Sequence, residues 1–224
     1  MDTPKAESLY NGRAKAESRV SRNDIFKRVI DIFGALVGLL ISSPVFLMIA
    51  LVIKLTDPKG PVFFKQKRVG YKQKMFQIFK FRTMIFNAEE HLKKDKKMYE
   101  KYLKNNYKLE PDEDPRITKI GRFLRKTSLD ELPQFVNVLK GQMSLVGPRP
   151  VVIEELEEYG ELKMDLLSVK PGVTGYWQTC GRSEIGYPER VDVELYYVYN
   201  KSTLLDIKIL FKTIKSVFLK RGAY

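Results

Sequence analysis

The chain has 224 residues, room for one domain with a sizeable core and too few for two ordinary ones. Its 40 Lys+Arg against 27 Asp+Glu leave a net charge of +13, which points to an anionic partner: nucleic acid, a phospholipid surface or a phosphorylated substrate. One cysteine, Cys180, excludes an internal disulfide and a multi-thiolate zinc site, and one histidine, His91, leaves little scope for Ser-His or Cys-His nucleophiles. Carboxylate or phosphate-directed chemistry is the better basis for an enzyme.

Residues 1–22 are polar, rich in Ala, Ser, Lys and Arg, and without periodicity, and read as a flexible tail. From Ile32 to Ile53 no residue is charged, a run that meets the ~20-residue criterion for crossing a ~30 Å hydrocarbon core. Ser43 and Pro44 interrupt its middle, and Pro44 removes a backbone donor. Both flanks are basic: Arg13, Lys15, Arg19, Arg22, Lys27 and Arg28 precede the run, and nine Lys/Arg against Asp57 alone follow it from Lys54 to Arg82. The positive-inside bias therefore places both ends in the cytoplasm, which a helix-break-helix hairpin over 23–55 satisfies. A kinked spanning helix and a buried soluble helix are the alternatives. Gly34 and Gly38, at small-xxx-small spacing, suit helix association and hence a homodimer.

Residues 56–224 read as a mainly α domain with a few short strands (α+β), assembled on the membrane surface. Val62-Phe63-Phe64 and Met75–Phe81 are strand candidates, and Asn87–Lys108 is helical by composition with a solvated charge run and an exposed His91. Arg116–Lys126 predicts an amphipathic helix, and helices follow over Pro133–Leu139 and Val151–Glu158. Pro171-Gly172 suits a type II turn. At the C-terminus, Leu205, Ile209, Ile214, Val217 and Phe218 oppose Lys208, Lys212 and Lys215, the pattern of a helix lying in the membrane interface.

Asp130-Glu131 is the most suggestive acidic pair. Ser128 and Glu131 fit a capping box, although Pro133 favours one turn followed by a restart. Alternatively the two carboxylates share a divalent cation, or one attacks phosphorus while the other positions it. Cations for phosphate are Lys80, Arg82, Arg125 and Arg149, the last flanked by prolines that pre-position its guanidinium fork. Each is also readable as a solvated surface charge. Trp177 suits base stacking, interface anchoring or core packing, and Cys180 reads as a small packed residue.

Taken in order, GPVFFKQKRVG at 60–70, FKFRTM at 79–84, the block from Asp114 to Pro150, KPGVTGYWQTCGR at 170–182 and the closing RGAY resemble the bacterial sugar transferase family, the monotopic phosphoglycosyl transferases. The resemblance covers Lys27 to Tyr224 and matches the small form of the family. It implies transfer of a sugar 1-phosphate from a UDP-sugar to undecaprenyl (polyprenyl) phosphate with release of UMP. It further implies Asp130 as nucleophile through an aspartyl-phosphosugar intermediate, Glu131 as its dyad partner, and Mg²⁺ held at Asp130 and Glu131. Lys80, Arg125 and Arg149 fall on phosphate-binding positions, Gln178 and Arg182 on a late motif suited to the nucleotide, and Ser43-Pro44 on the re-entrant break. The expected setting is the bacterial cytoplasmic membrane, with the domain facing the cytoplasm against inner-leaflet lipids and with no nucleic-acid partner. The rival reading is a membrane-tethered basic protein that binds acidic lipid or nucleic acid.

Overall fold

The computed structural model describes residues 22–104, 109–110, 112–181 and 185–218. The expected tail and Arg182 lie outside them, Arg22 excepted. A single helix, α1 (Arg22–Thr56), is about 52 Å long at ~1.5 Å per residue, and its apolar part is long enough to cross a membrane by length and composition. Helical structure continues through Ser43-Pro44, the expected site of the hairpin break. Pro44 leaves the Leu40 carbonyl without its usual amide, and the Ser43 hydroxyl donates to that oxygen at 2.8 Å instead. Ser42 donates to the Gly38 carbonyl at 2.6 Å.

An antiparallel hairpin follows, β1 (Phe63–Val69) against β2 (Met75–Phe81), in register from Phe63 opposite Phe81 to Val69 opposite Met75. The expected Asn87–Lys108 helix is two short ones, α2 (Ala88–Lys94) and α3 (Lys96–Lys104), parted at Asp95; Leu92 is buried and His91 exposed. Then come α4 (Lys119–Thr127), a 3₁₀ turn at Leu129–Glu131, α5 (Gln134–Leu139) and β3 (Ser144–Val146). After α6 (Ile153–Leu156) and α7 (Lys163–Leu166), β4 (Gly172–Thr174) pairs parallel with β3. The chain ends through α8 (Tyr176–Cys180), α9 (Glu189–Asn200) and α10 (Thr203–Phe218). The fold is mostly helical with few short strands, as the composition suggested.

The main core gathers Ala35 of α1, Ile78 of β2, Val138 of α5, Leu145 of β3, Val193 of α9 and Ile209 of α10. A separate cluster packs Ile49 and Ile53, near the other end of α1, on Phe81 and Leu124. Both halves of α1 therefore rest on one folded body. The opposite face, with Phe33, Leu40, Leu47 and Leu51, is exposed.

Polar ties fix this docking. The buried Asp31 carboxylate accepts from the Ser144 hydroxyl and the Leu145 amide, both at 2.9 Å. Lys27 bridges to Asp206 of α10 at 2.7 Å, and Arg28 donates to the Val138 and Leu139 carbonyls at 2.7 and 3.0 Å. The Gly34-Gly38 stripe belongs to the same contact. An added Cβ at Gly34 would lie 2.6 Å from Leu145 Cδ1, and one at Gly38 2.9 Å from Phe135 Cζ. The stripe packs on the chain's own domain.

Asp31→Ala leaves a buried hydroxyl and a buried amide unmatched, a loss of about 3 kcal/mol. In detergent its thermal unfolding midpoint should fall by roughly 6–12 °C, and Asp31→Asn, which keeps one acceptor oxygen, by clearly less. Equal midpoints for Asp31→Ala and the parent would show that the tie does not hold the helix.

Candidate active site

The site is built on α4 and the single turn after it. Thr118 caps α4 by accepting from the Gly121 amide at 2.9 Å, and its own amide donates to the Thr83 carbonyl at 3.0 Å. Only glycine fits at 121, since a Cβ there would sit 1.9 Å from the Thr83 oxygen. This close approach presents Arg125, one face further along, whose Nε donates to the Thr83 hydroxyl at 3.0 Å. Ser128 then takes a left-handed conformation (φ 57°) that closes α4, and its side chain does not cap the next turn. The capping-box reading is therefore not met. The chain makes the single turn that carries Asp130 and Glu131, and restarts as α5 directly after Pro133.

Asp130 is buried with Glu131 beside it. Lys80, from β2, bonds Glu131 at 2.7 Å and lies 3.9 Å from Asp130. Burial first, and then the adjacent Glu131 charge, push the Asp130 carboxyl up to about 6, with Lys80 and Arg125 pulling the other way. Burial also lowers Arg125, against the pull of Asp130.

Facing them is a backbone junction that three glycines make possible. Added Cβ atoms at Gly147, Gly172 and Gly175 would lie 2.4, 2.1 and 2.1 Å from backbone atoms of Lys170, Gly147 and Gly147. Gly172 is thus extended in β4 and not the left-handed corner of a type II turn; its lack of a side chain serves close approach. The junction carries Arg149 on one side and Gln178 on the other. A cavity of about 710 Å³ lies between, lined by Lys80, Arg125, Asp130, Glu131, Arg149 and Gln178 together.

Arg82, the remaining described cation of the expected set, is turned elsewhere. Its guanidinium donates to the Asp57 carbonyl at 2.7 Å and pairs with the Asp57 carboxylate at 3.3 Å, clasping the end of α1 to β2. Trp177 is largely buried, with its indole N–H donating to the Ile185 carbonyl at 3.0 Å and the Arg190 guanidinium 4.3 Å from its ring, and it also lines the cavity. Cys180 is half-buried against the main core.

Two features of the site escape the sequence reading. Arg68 of β1 lines the cavity, donates to the Pro150 carbonyl at 3.0 Å and has its guanidinium lowered by burial and by Arg149. Behind Arg149, the fully buried Glu194 accepts from the Arg149 amide at 3.2 Å and pairs with Arg190 at 3.6 Å. Burial pushes Glu194 up to about 7. A second acid, after Asp192, among the apolar and aromatic residues from Val191 to Val198 is the signal that could have found it.

A carboxylate pair beside lysine and arginine lies on a domain docked along a long apolar helix, an arrangement compatible with membrane association. The chain belongs to the bacterial sugar transferase family, whose model matches residues 22–220. It is 46% identical over 219 residues to an undecaprenyl-phosphate galactose phosphotransferase of Salmonella typhimurium, covering 96% of this chain and 44% of that one. It is 44% identical over 202 residues to an exopolysaccharide production protein of Rhizobium meliloti, covering 88% of each. A UDP-glucose:undecaprenyl-phosphate glucose-1-phosphate transferase of Escherichia coli is 42% identical over 210 residues, 90% of this chain and 42% of that one. The chain thus spans under half the length of the Salmonella and Escherichia proteins.

Because the folded-state pKa of Asp130 is raised above the ordinary value, its contribution to stability is present at low pH and is lost as pH rises through about 6. Asp130→Asn should therefore unfold a few degrees higher than the parent at pH 7.5 in EDTA, with the gap closing towards pH 4. A gap independent of pH between 4 and 7.5 would contradict the raised pKa.

Proposed function

We propose that this chain transfers a sugar 1-phosphate from a UDP-sugar to undecaprenyl (polyprenyl) phosphate, releasing UMP, as the first membrane step of capsule or exopolysaccharide synthesis. The observation that carries the reading is Asp130, a buried carboxyl next to Glu131, faced by Lys80 and Arg125 in a cavity that also holds Arg149. The activities for which the Salmonella and Escherichia relatives are named supply the donor and acceptor classes.

In this reading an Asp130 oxygen attacks the sugar-linked phosphorus of the donor. The new carboxylate–phosphorus bond forms as the bond to the bridging oxygen breaks, and UMP leaves with that oxygen. A phosphate oxygen of the polyprenyl acceptor then attacks the same phosphorus, the acyl phosphate breaks, and the Asp130 carboxylate is restored. Splitting the displacement in two is what a positioned carboxylate makes possible. Lys80, Arg125 and Arg149 orient the diphosphate and stabilise charge on the transferring group. Asp130 and Glu131 suit Mg²⁺, which is commonly held by one or two carboxylates plus substrate phosphates and relieves the repulsion between this pair. When bound it supplies charge neutralisation at the diphosphate.

The membrane reading is monotopic. Both halves of α1 rest on one body, so a domain on the cytoplasmic side holds the two ends of the helix on its own side of the bilayer. The exposed apolar face of α1 and the outer face of α10 then enter a single leaflet.

The decisive measurement is UMP release by the detergent-purified protein with Mg²⁺, undecaprenyl phosphate and a panel of UDP-sugars that includes galactose and glucose. Release should need the lipid and one particular sugar. Asp130→Asn should reduce it by about 10³-fold or more. Labelled UMP should exchange into the UDP-sugar with no acceptor present. Turnover without exchange would replace the covalent path by a single displacement, and silence across the panel from folded protein would favour the tethered-binder reading.

A further inference from the structure

The cavity lining has a part that bears the cations and carboxylates, which also includes Phe64, Ile78, Phe81 and Leu132, and a part that is apolar almost throughout. Lys80, Arg125, Asp130, Glu131 and Arg149 lie in the first. Gly34 of α1, Phe135, Leu145, Val173, Leu210 and Ile214 form the second, an apolar wall. Thr213 is the hydroxyl that α10 adds to the lining, and it is already bonded to Thr174 at 2.7 Å. A sugar or a nucleotide base would find few side-chain partners on that wall; a branched hydrocarbon would find methyl and ring surface.

This wall reaches the outside of the molecule. Ile214 lines the cavity and yet is 53% exposed, so it stands at the mouth. It also belongs to an exposed apolar stripe on α10, Leu204, Ile207, Phe211 and Ile214, spaced three and four residues apart as one helical face requires. The inward face of the same helix, through Leu205, Ile209 and Leu210, packs on the core. The Lys27–Asp206 bridge joins α10 to α1, and both helices run from it to the cavity, which they reach at Leu210 to Ile214 and at Gly34. The mouth between them opens where both helices carry exposed hydrophobics.

We propose that this mouth, between α1 at Gly34 and α10 at Leu210–Ile214, admits the first isoprene units of the polyprenyl phosphate acceptor while its phosphate reaches Arg149 and Asp130. The inference rests on the acceptor assigned above and adds where it enters. It lets the acceptor react with its tail still in the leaflet, and it leaves the charged part of the lining to the donor.

The test places a photoreactive benzoylphenylalanine at Ile214, in the full chain carrying Asp130→Asn so that turnover plays no part. The vesicles contain labelled undecaprenyl phosphate. Cross-linking should occur at 214, be competed by unlabelled undecaprenyl phosphate and not by excess phosphatidylglycerol, and be absent when the probe replaces exposed Met164, outside the cavity. No labelled adduct at 214, or competition by phosphatidylglycerol as well, would overturn the proposal. In a second arm Ile214→Trp, which narrows the mouth, should raise KM for the acceptor about tenfold more than KM for the UDP-sugar. An equal effect on both, or a larger one on the donor, would assign the mouth to the donor instead. If the unaltered chain releases no UMP, the functional reading fails, whereas the cross-link reports on the mouth independently.

Discussion

Everything near the cavity is referred to one buried carboxylate on the apolar helix. Asp31 accepts from the Ser144 hydroxyl and the Leu145 amide and thereby fixes β3, after which the chain delivers Arg149 and Pro150 to the cavity. One turn earlier, Lys27 holds α10 and Arg28 holds the end of α5. At the far end, Ile49 and Ile53 pack on Phe81 and Leu124, and Asp57 holds Arg82, which positions the flanks of Lys80 and Arg125. The apolar helix serves as a ruler: one half fixes the Arg149 side of the site, the other the Lys80 and Arg125 side.

Backbone contact at the glycines gives the site its second dimension. With Gly147, Gly172 and Gly175 in place, the strand that carries Arg149 and the segment that carries Gln178 cross with almost no side-chain thickness between them. Arg149 is further held by its own amide on Glu194, and Arg190 packs between Glu194 and the Trp177 ring. The buried ionic pair behind Arg149 orders the backbone while its guanidinium remains on the cavity wall.

Much of this is legible in the sequence, for reasons particular to each segment. Met75–Phe81 is a short run dense in Phe and Ile and forms the strand it announces. Pro133 marks a restart, and the helix begins at the next residue. The acid pair and most of the cations stand out because charge beside proline, glycine and aromatic residues is conspicuous in one dimension. Other elements are not legible. The helix over Glu189–Asn200 reads VDVELYY, an alternation suited to a strand, because it is buried on nearly all sides and has no polar stripe to set a period of 3.6. The β3–β4 pair rests on three-residue strands joined across a long separation, and short apolar runs carry no register. Arg82 reads as a phosphate ligand because nothing local reveals that Asp57 folds back onto it. Arg68 and Glu194 escape notice since their importance lies in burial, which depends on distant elements.

Burial and the neighbouring cations pull Asp130 in opposite directions. A cavity with one apolar wall excludes water, and exclusion favours the neutral acid, as does the neighbouring Glu131. Without Lys80 and Arg125 the carboxyl would move further up; with them it stays near 6, mostly ionised at pH 7 but poorly solvated. Such a carboxylate has lost much of its water, which under the proposed reaction would make it the better nucleophile, and the cations that keep it ionised line the same cavity. An arriving diphosphate would draw Lys80 and Arg125 towards its own oxygens and loosen their hold on Asp130 and Glu131 as it brings phosphorus within reach. The balance of burial and charge at one aspartate thus couples binding to reactivity, and it is set by the apolar helix that brings the two cations and the acid pair together.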